Sequence, residues 1–175
     1  RSLRGKAILI INVYKLINGK SVFGVEAEGI KISIGSIIID DVHACLATTE
    51  DQFTLITEKG SECYKELFPI FKDELYKQSE TKALDVEYQD NSAYMQIPFW
   101  SWVNNINDAN KILYKYKEEQ DSIKFTLPLI KSTLKLCRCV VGEGSFEISP
   151  RCLPISVIPS FTNADRRIFM TATIA

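Results

Sequence analysis

An α/β protein interrupted by a helical insertion is the architecture that this 175-residue sequence predicts. Two patterns carry that expectation. Continuous β-branched apolar runs stand at residues 7–13, 37–39 and 167–171, as in strands buried on both faces of a parallel sheet. Between them, apolar residues recur at helical spacing over residues 60–139. The boundaries drawn on this basis are 1–55, 56–142 for a mainly helical insertion, and 143–175 for the returning strands. Apolar residues at 46% and charged residues at 25% are globular composition and exclude a disordered tail.

Each element follows from its residues. Ala7-Ile8-Leu9-Ile10-Ile11-Asn12-Val13 reads as a buried strand, and residues 14–29 are polar and glycine-bearing. Ile30, Ile32 and Ile34 alternate weakly. Ile37-Ile38-Ile39 is a second buried strand ending in Asp40-Asp41-Val42-His43, and residues 44–53 suit a loop or short helix. Tyr64, Leu67, Phe68, Phe71, Leu75 and Tyr76 make a helical stripe in which Pro69 predicts a kink or two helices. After a polar turn at 87–93, Phe99, Trp102, Ile106, Ala109 and Leu113 make a second stripe, with Pro98 at its N-terminus. Residues 121–139 supply a third, with Pro128 interrupting or starting it. Phe146, Ile148, Ile155, Val157 and Ile158, parted by Pro150 and Pro154, suit short edge strands. Residues 166–171 read as a core strand running into Ala172-Thr173.

Charge and composition narrow the function. With 21 basic and 22 acidic side chains, the chain has no global footprint for nucleic acid or anionic membrane, although a local basic groove stays open. No apolar run reaches membrane-spanning length, and the basic start lacks a small-residue cleavage site. The chain begins with arginine and reads as a fragment. Five irregularly spaced cysteines suit reduced thiols in a cytoplasmic protein. Cys45, Cys137, Cys139 and Cys152 could supply four thiolates, but Cys-x-Cys is tighter than usual ligand spacing, so buried thiols are the ordinary reading. The single histidine, His43, excludes any site needing two imidazoles.

Gly19-Lys20-Ser21 matches the end of a phosphate-binding loop, but Tyr14 stands where its first glycine belongs, so a surface turn is expected. Phe99, Trp100 and Trp102, with lysines at 111, 115, 117, 124, 131 and 135, could form a stacking platform beside a basic strip. Core aromatics and a solvated lysine face are the ordinary alternative. Asp40 and Asp41 have two readings. They are either a solvated turn after a strand, or a pair in which Asp40 holds Mg²⁺ through water and Asp41 orients or deprotonates an attacking water.

A strand ending in Asp40-Asp41-Val42-His43, followed downstream by a strand ending in Thr171-Ala172-Thr173, resembles motifs II and III of superfamily 2 helicases, the DEAD/DEAH (DExH)-box class. The resemblance implies a partial RecA-like (P-loop NTPase) sheet. It implies Asp40 as the Mg²⁺ ligand, Asp41 as the water activator, and His43 bonded to the hydroxyls of Thr171 and Thr173. Residues 7–18 resemble the region of motif Ib, with Asn12 and Lys15 as candidate nucleic-acid contacts. ATP and Mg²⁺ are the implied cofactors of the intact protein, with none held tightly by this fragment. DNA or RNA and the remainder of the helicase are the implied partners, without a membrane. The implied setting is bacterial DNA repair or phage defence.

Asp41 departs from the family's usual glutamate by one methylene. The long separation of the two motifs is similar in layout to repair helicases with an arch domain. Motif I and the second RecA-like domain are missing, so negligible ATPase activity is expected of this chain alone. The alternatives are a non-catalytic α/β interaction module and, more remotely, a metal-dependent hydrolase using Asp40 and Asp41. A helicase origin requires strands 7–13, 37–39 and 167–171 to be neighbours in one parallel sheet, with His43 near Thr171 or Thr173.

Overall fold

The computed structural model describes residues 7–25, 32–89, 93–142 and 144–171. The chain divides into two units, one of residues 1–53 with 153–175 and the other of residues 54–152.

The first unit lacks the first of the expected strands. Residues 7–12 form no strand, and Ile8 and Ile10 are 96% and 93% exposed. A β-branched run has strand propensity, but a strand exists only against a partner. Here the run ends at Asn12, whose side chain accepts a hydrogen bond from the Lys15 amide and caps helix α1 (Val13–Leu16). Residues 18–21 are a turn, as expected: Asn18 Oδ1 accepts from the Lys20 amide and Ser21 Oγ donates to the Lys15 carbonyl. Strand β1 (Ser36–Ile39) follows, then helix α2 (Val42–Gln52), a full helix where a loop or short helix was expected. α1 packs on α2.

The second unit is mainly helical, with short strands between its helices. It holds a four-stranded antiparallel sheet. Strand β2 (Leu55–Glu58) alternates buried and exposed residues, with Leu55 and Thr57 inward. Ser61 then caps helix α3 (Glu62–Gln78), accepting from the Tyr64 amide. Leu67, Phe71 and Leu75 share one helical face and are fully buried. Pro69 lies inside this one helix and does not divide it.

Helix α4 (Glu80–Leu84) leads through a π-helical turn at Asp85–Gln89 to strand β3 (Tyr94–Gln96). Helices α5 (Phe99–Asn104), α6 (Ile106–Lys115) and α7 (Asp121–Ile130) follow. A 3₁₀ turn, Lys131–Leu136, feeds strand β4 (Cys137–Gly142), and strand β5 (Ser145–Pro150) returns beside it. The sheet order is β2-β5-β4-β3. Phe146 and Ile148, expected among the final strands of the first unit, therefore belong to the second.

An aromatic cluster joins helices to sheet in this unit. The Phe71 ring lies 5.8 Å from both Trp102 and Phe146. Trp102 is buried, and its Nε1–H donates to the Leu134 carbonyl at 2.9 Å. Its apolar body thus fills the core while its polar atom stays satisfied.

The chain then re-enters the first unit. Helix α8 (Pro159–Thr162) starts on proline, and the Ser160 hydroxyl lies 2.6 Å from the Phe23 carbonyl and 2.7 Å from that of Ile32. Strand β6 (Arg166–Phe169) pairs parallel with β1, Ser36 opposite Arg166 and Ile39 opposite Phe169. Two of the three expected parallel strands are thus neighbours, and the third is not a strand.

Candidate functional site

Parallel pairing sets the geometry of the site. Because β1 and β6 run the same way in matched register, their C-terminal ends coincide. Asp40 follows one end and Met170 the other. The Met170 amide donates to the Ile39 carbonyl at 2.8 Å, and the Val42 amide donates to the Met170 carbonyl at 3.0 Å. Ile39 and Val42 are thereby joined by main chain to Met170, which is remote from them in sequence.

The acidic pair is a tight turn between those bonds. Asp41 has φ 48° and ψ 65° and is the one non-glycine residue with positive φ among the described residues. Asp40 Oδ1 accepts from the Asp41 amide at 3.0 Å, and Asp41 Oδ1 accepts from the Ala44 amide at 3.4 Å, capping α2. Cys45 closes the first helical turn: its amide donates to the Asp41 carbonyl and its thiol to the Asp40 carbonyl. Asp40, Asp41, His43 and Thr171 are all exposed. Ala172 and Thr173 lie outside the described residues.

Two exposed carboxylates at the end of a strand fit a hard cation that keeps most of its waters. Such a cation also relieves the repulsion between adjacent aspartates. No group of three or more histidine, cysteine or acidic side chains that could hold a metal occurs among the described residues.

Asn12 and Lys15 do not lie on a strand edge. Asn12 caps α1, and Lys15 sits within that helix. Of the three aromatics of the candidate platform, Trp102 is core, whereas Phe99 and Trp100 are exposed. The lysine strip is largely partnered. Lys111 pairs with Asp108, Lys115 with Glu66 and Lys124 with Glu118, while Lys117 and Lys131 sit over the Tyr114 ring. Cys137 and Cys139 are buried. Burial pushes the Cys137 thiol up to about 12 and that of Cys139 well above its ordinary value, so both are protonated thiols.

Sequence reasoning missed Met170, because its part in the site is played by its main chain and leaves no mark in residue type. It also missed the left-handed backbone of Asp41, for which an aspartate after a strand is only a faint signal. Compared with family models, curated proteins and solved structures, the chain matches none. No helix among the described residues is long and apolar enough to cross a membrane.

Proposed function

We propose that this chain is part of an ATP-dependent superfamily 2 nucleic acid helicase or translocase, with residues 54–152 inserted between motifs II and III of a RecA-like domain. The observation that carries the reading is the parallel, in-register pairing of β1 with β6, which joins the Asp40-Asp41 turn to Met170 through the main chain of Ile39 and Val42. Strand–acid pair and strand–hydroxyl segments that meet at one sheet end are part of what the resemblance requires, and the C-terminal end of a parallel sheet is where ligands bind; the strand expected at 7–13 does not support the reading.

In this reading Asp40 holds Mg²⁺ through water. Asp41 takes the proton of a water whose oxygen bonds the γ-phosphorus while the bond to the β-phosphate oxygen breaks. His43 links the turn to the hydroxyl of Thr171 or Thr173. Bound Mg²⁺–ATP supplies the electrophilic phosphoryl group and neutralises its charge. The exposed apolar residues of the parallel pair, Ile38 at 63% and Phe169 at 53%, support a larger sheet with both faces covered, as parallel sheets have. The same exposure favours the second reading, a non-catalytic interaction module that presents these residues to a partner protein.

ATP turnover separates the two. The full-length protein is expected to hydrolyse ATP in the presence of Mg²⁺ and nucleic acid. Asp40→Asn should lower that rate by about two orders of magnitude, and this chain alone should show none. Turnover unaffected by Asp40→Asn, or absent from the full-length protein, would favour the interaction module.

A further inference from the structure

We infer that Met170 is a positioning residue: its backbone N–H and C=O together clamp the Asp40–Asp41 turn as a one-residue bulge, so the acidic pair and the end of β6 move as one body. In a regular parallel ladder a residue bonds two positions on the neighbouring strand that have one residue between them. Met170 bonds Ile39 and Val42, which have two between them, Asp40 and Asp41. One extra residue opposite a single partner defines a bulge, a device that re-aims side chains beside active sites. The left-handed Asp41 is what lets the extra residue fit, because it turns the chain sharply enough for Val42 to reach back to the Met170 carbonyl.

The Val42 bond also completes the helix that follows. Val42 is the first residue of α2, and amides in the first turn of a helix have no partner within it. Met170 therefore supplies what the helix cannot. A displacement of β6 is transmitted to Asp40 and Asp41 through main chain, whatever side chain stands at 170. The functional meaning of this clamp rests on the proposed Mg²⁺ role of Asp40, but the clamp itself does not.

Amide exchange of this chain, followed residue by residue by NMR, tests the clamp. In the wild type the Val42 and Met170 amides should exchange at least about tenfold slower than unprotected amides. Val42→Pro removes the donor at a position where a helix accepts proline, and should speed Met170 exchange by about five- to tenfold. Val42→Ala keeps the donor and should leave Met170 exchange within about twofold. An unprotected Val42 amide in the wild type overturns the inference without any variant, and so does unchanged Met170 exchange in Val42→Pro. Manganese(II) alone serves as the probe of the acidic pair. If it fails to broaden the Asp40 and Asp41 resonances in the wild type, the Mg²⁺ reading fails, while the exchange data still decide the clamp.

Discussion

Asp41 combines two demands that few residues meet together. Its backbone is left-handed, a region that costs most L-residues roughly 1–2 kcal/mol and that aspartate enters more readily. Its side chain also caps α2. Asp41→Gly should therefore stay within about 1 kcal/mol of wild type, since relief of the backbone offsets the lost cap. Asp41→Val loses the cap and is strained at positive φ, and should destabilise by about 2 kcal/mol or more. Urea denaturation of the three proteins, read by the signal of α2, checks the order. Equal stability of Gly and Val variants would mean that the left-handed turn does not hold in solution.

At the scale of elements, one carboxylate ties α3 to the end of α6. Glu66 Oε1 accepts from Lys115 Nζ and from the Tyr116 hydroxyl. The Lys115 bond first, and the Tyr116 bond next, hold Glu66 below the usual carboxylate range. A depressed folded-state value gives stability that is fully present above the unfolded value, about 4.3, and is lost as pH falls through the folded value. Glu66→Gln should accordingly flatten the acid side of the stability profile below about pH 4.5 and change its neutral slope little. Denaturant midpoints measured from pH 7 to pH 3 test this, and parallel profiles for the two proteins would remove Glu66 from the acid response.

Elements also differ in how plainly the residues announce them. α3 and α6 were legible because their buried residues recur at helical spacing, as Leu67, Phe71 and Leu75 do. β1 and β6 were legible from Ile37–Ile39 and Ile168–Phe169, together with the polar residues that follow them. The antiparallel sheet was not. Residues 55–58 offer only four positions of alternation, and residues 137–142 follow α7 through Lys131–Leu136 without a glycine or proline to mark a new element. Short apolar runs of that kind cannot be assigned to helix or strand without their partners. Residues 7–13 failed in the opposite direction, having strand composition and no strand. At the site, residue types pointed to Asp40, Asp41, His43 and Thr171, while the main-chain clamp had no sequence signal.

For the whole molecule, the second unit has its own core and its own sheet. Its two ends lie side by side, since Leu55 near its start pairs with Ile148 near its end. A domain whose ends are adjacent can be inserted into another with little disturbance. Residues 54–152 produced alone should therefore unfold cooperatively, with the near-ultraviolet signal of a buried Trp102. A broad, non-cooperative transition would show that the unit depends on the rest of the chain.

That adjacency of Leu55 and Ile148 also sets an order of assembly. β1 cannot find β6 until translation has passed residue 170, so the isoleucines of β1 wait without their partner strand. If residues 55–148 fold first, they collapse into a short bridge, and the loop that must close to pair β1 with β6 loses most of its length. On a logarithmic loop-closure law the saving is only about 1 kcal/mol. It comes at the step where exposed β-branched residues are most prone to pair wrongly with other chains. The acidic turn is then the last piece of the described chain to form, and slow folding of the second unit would appear as delayed assembly of a site to which that unit contributes no residue.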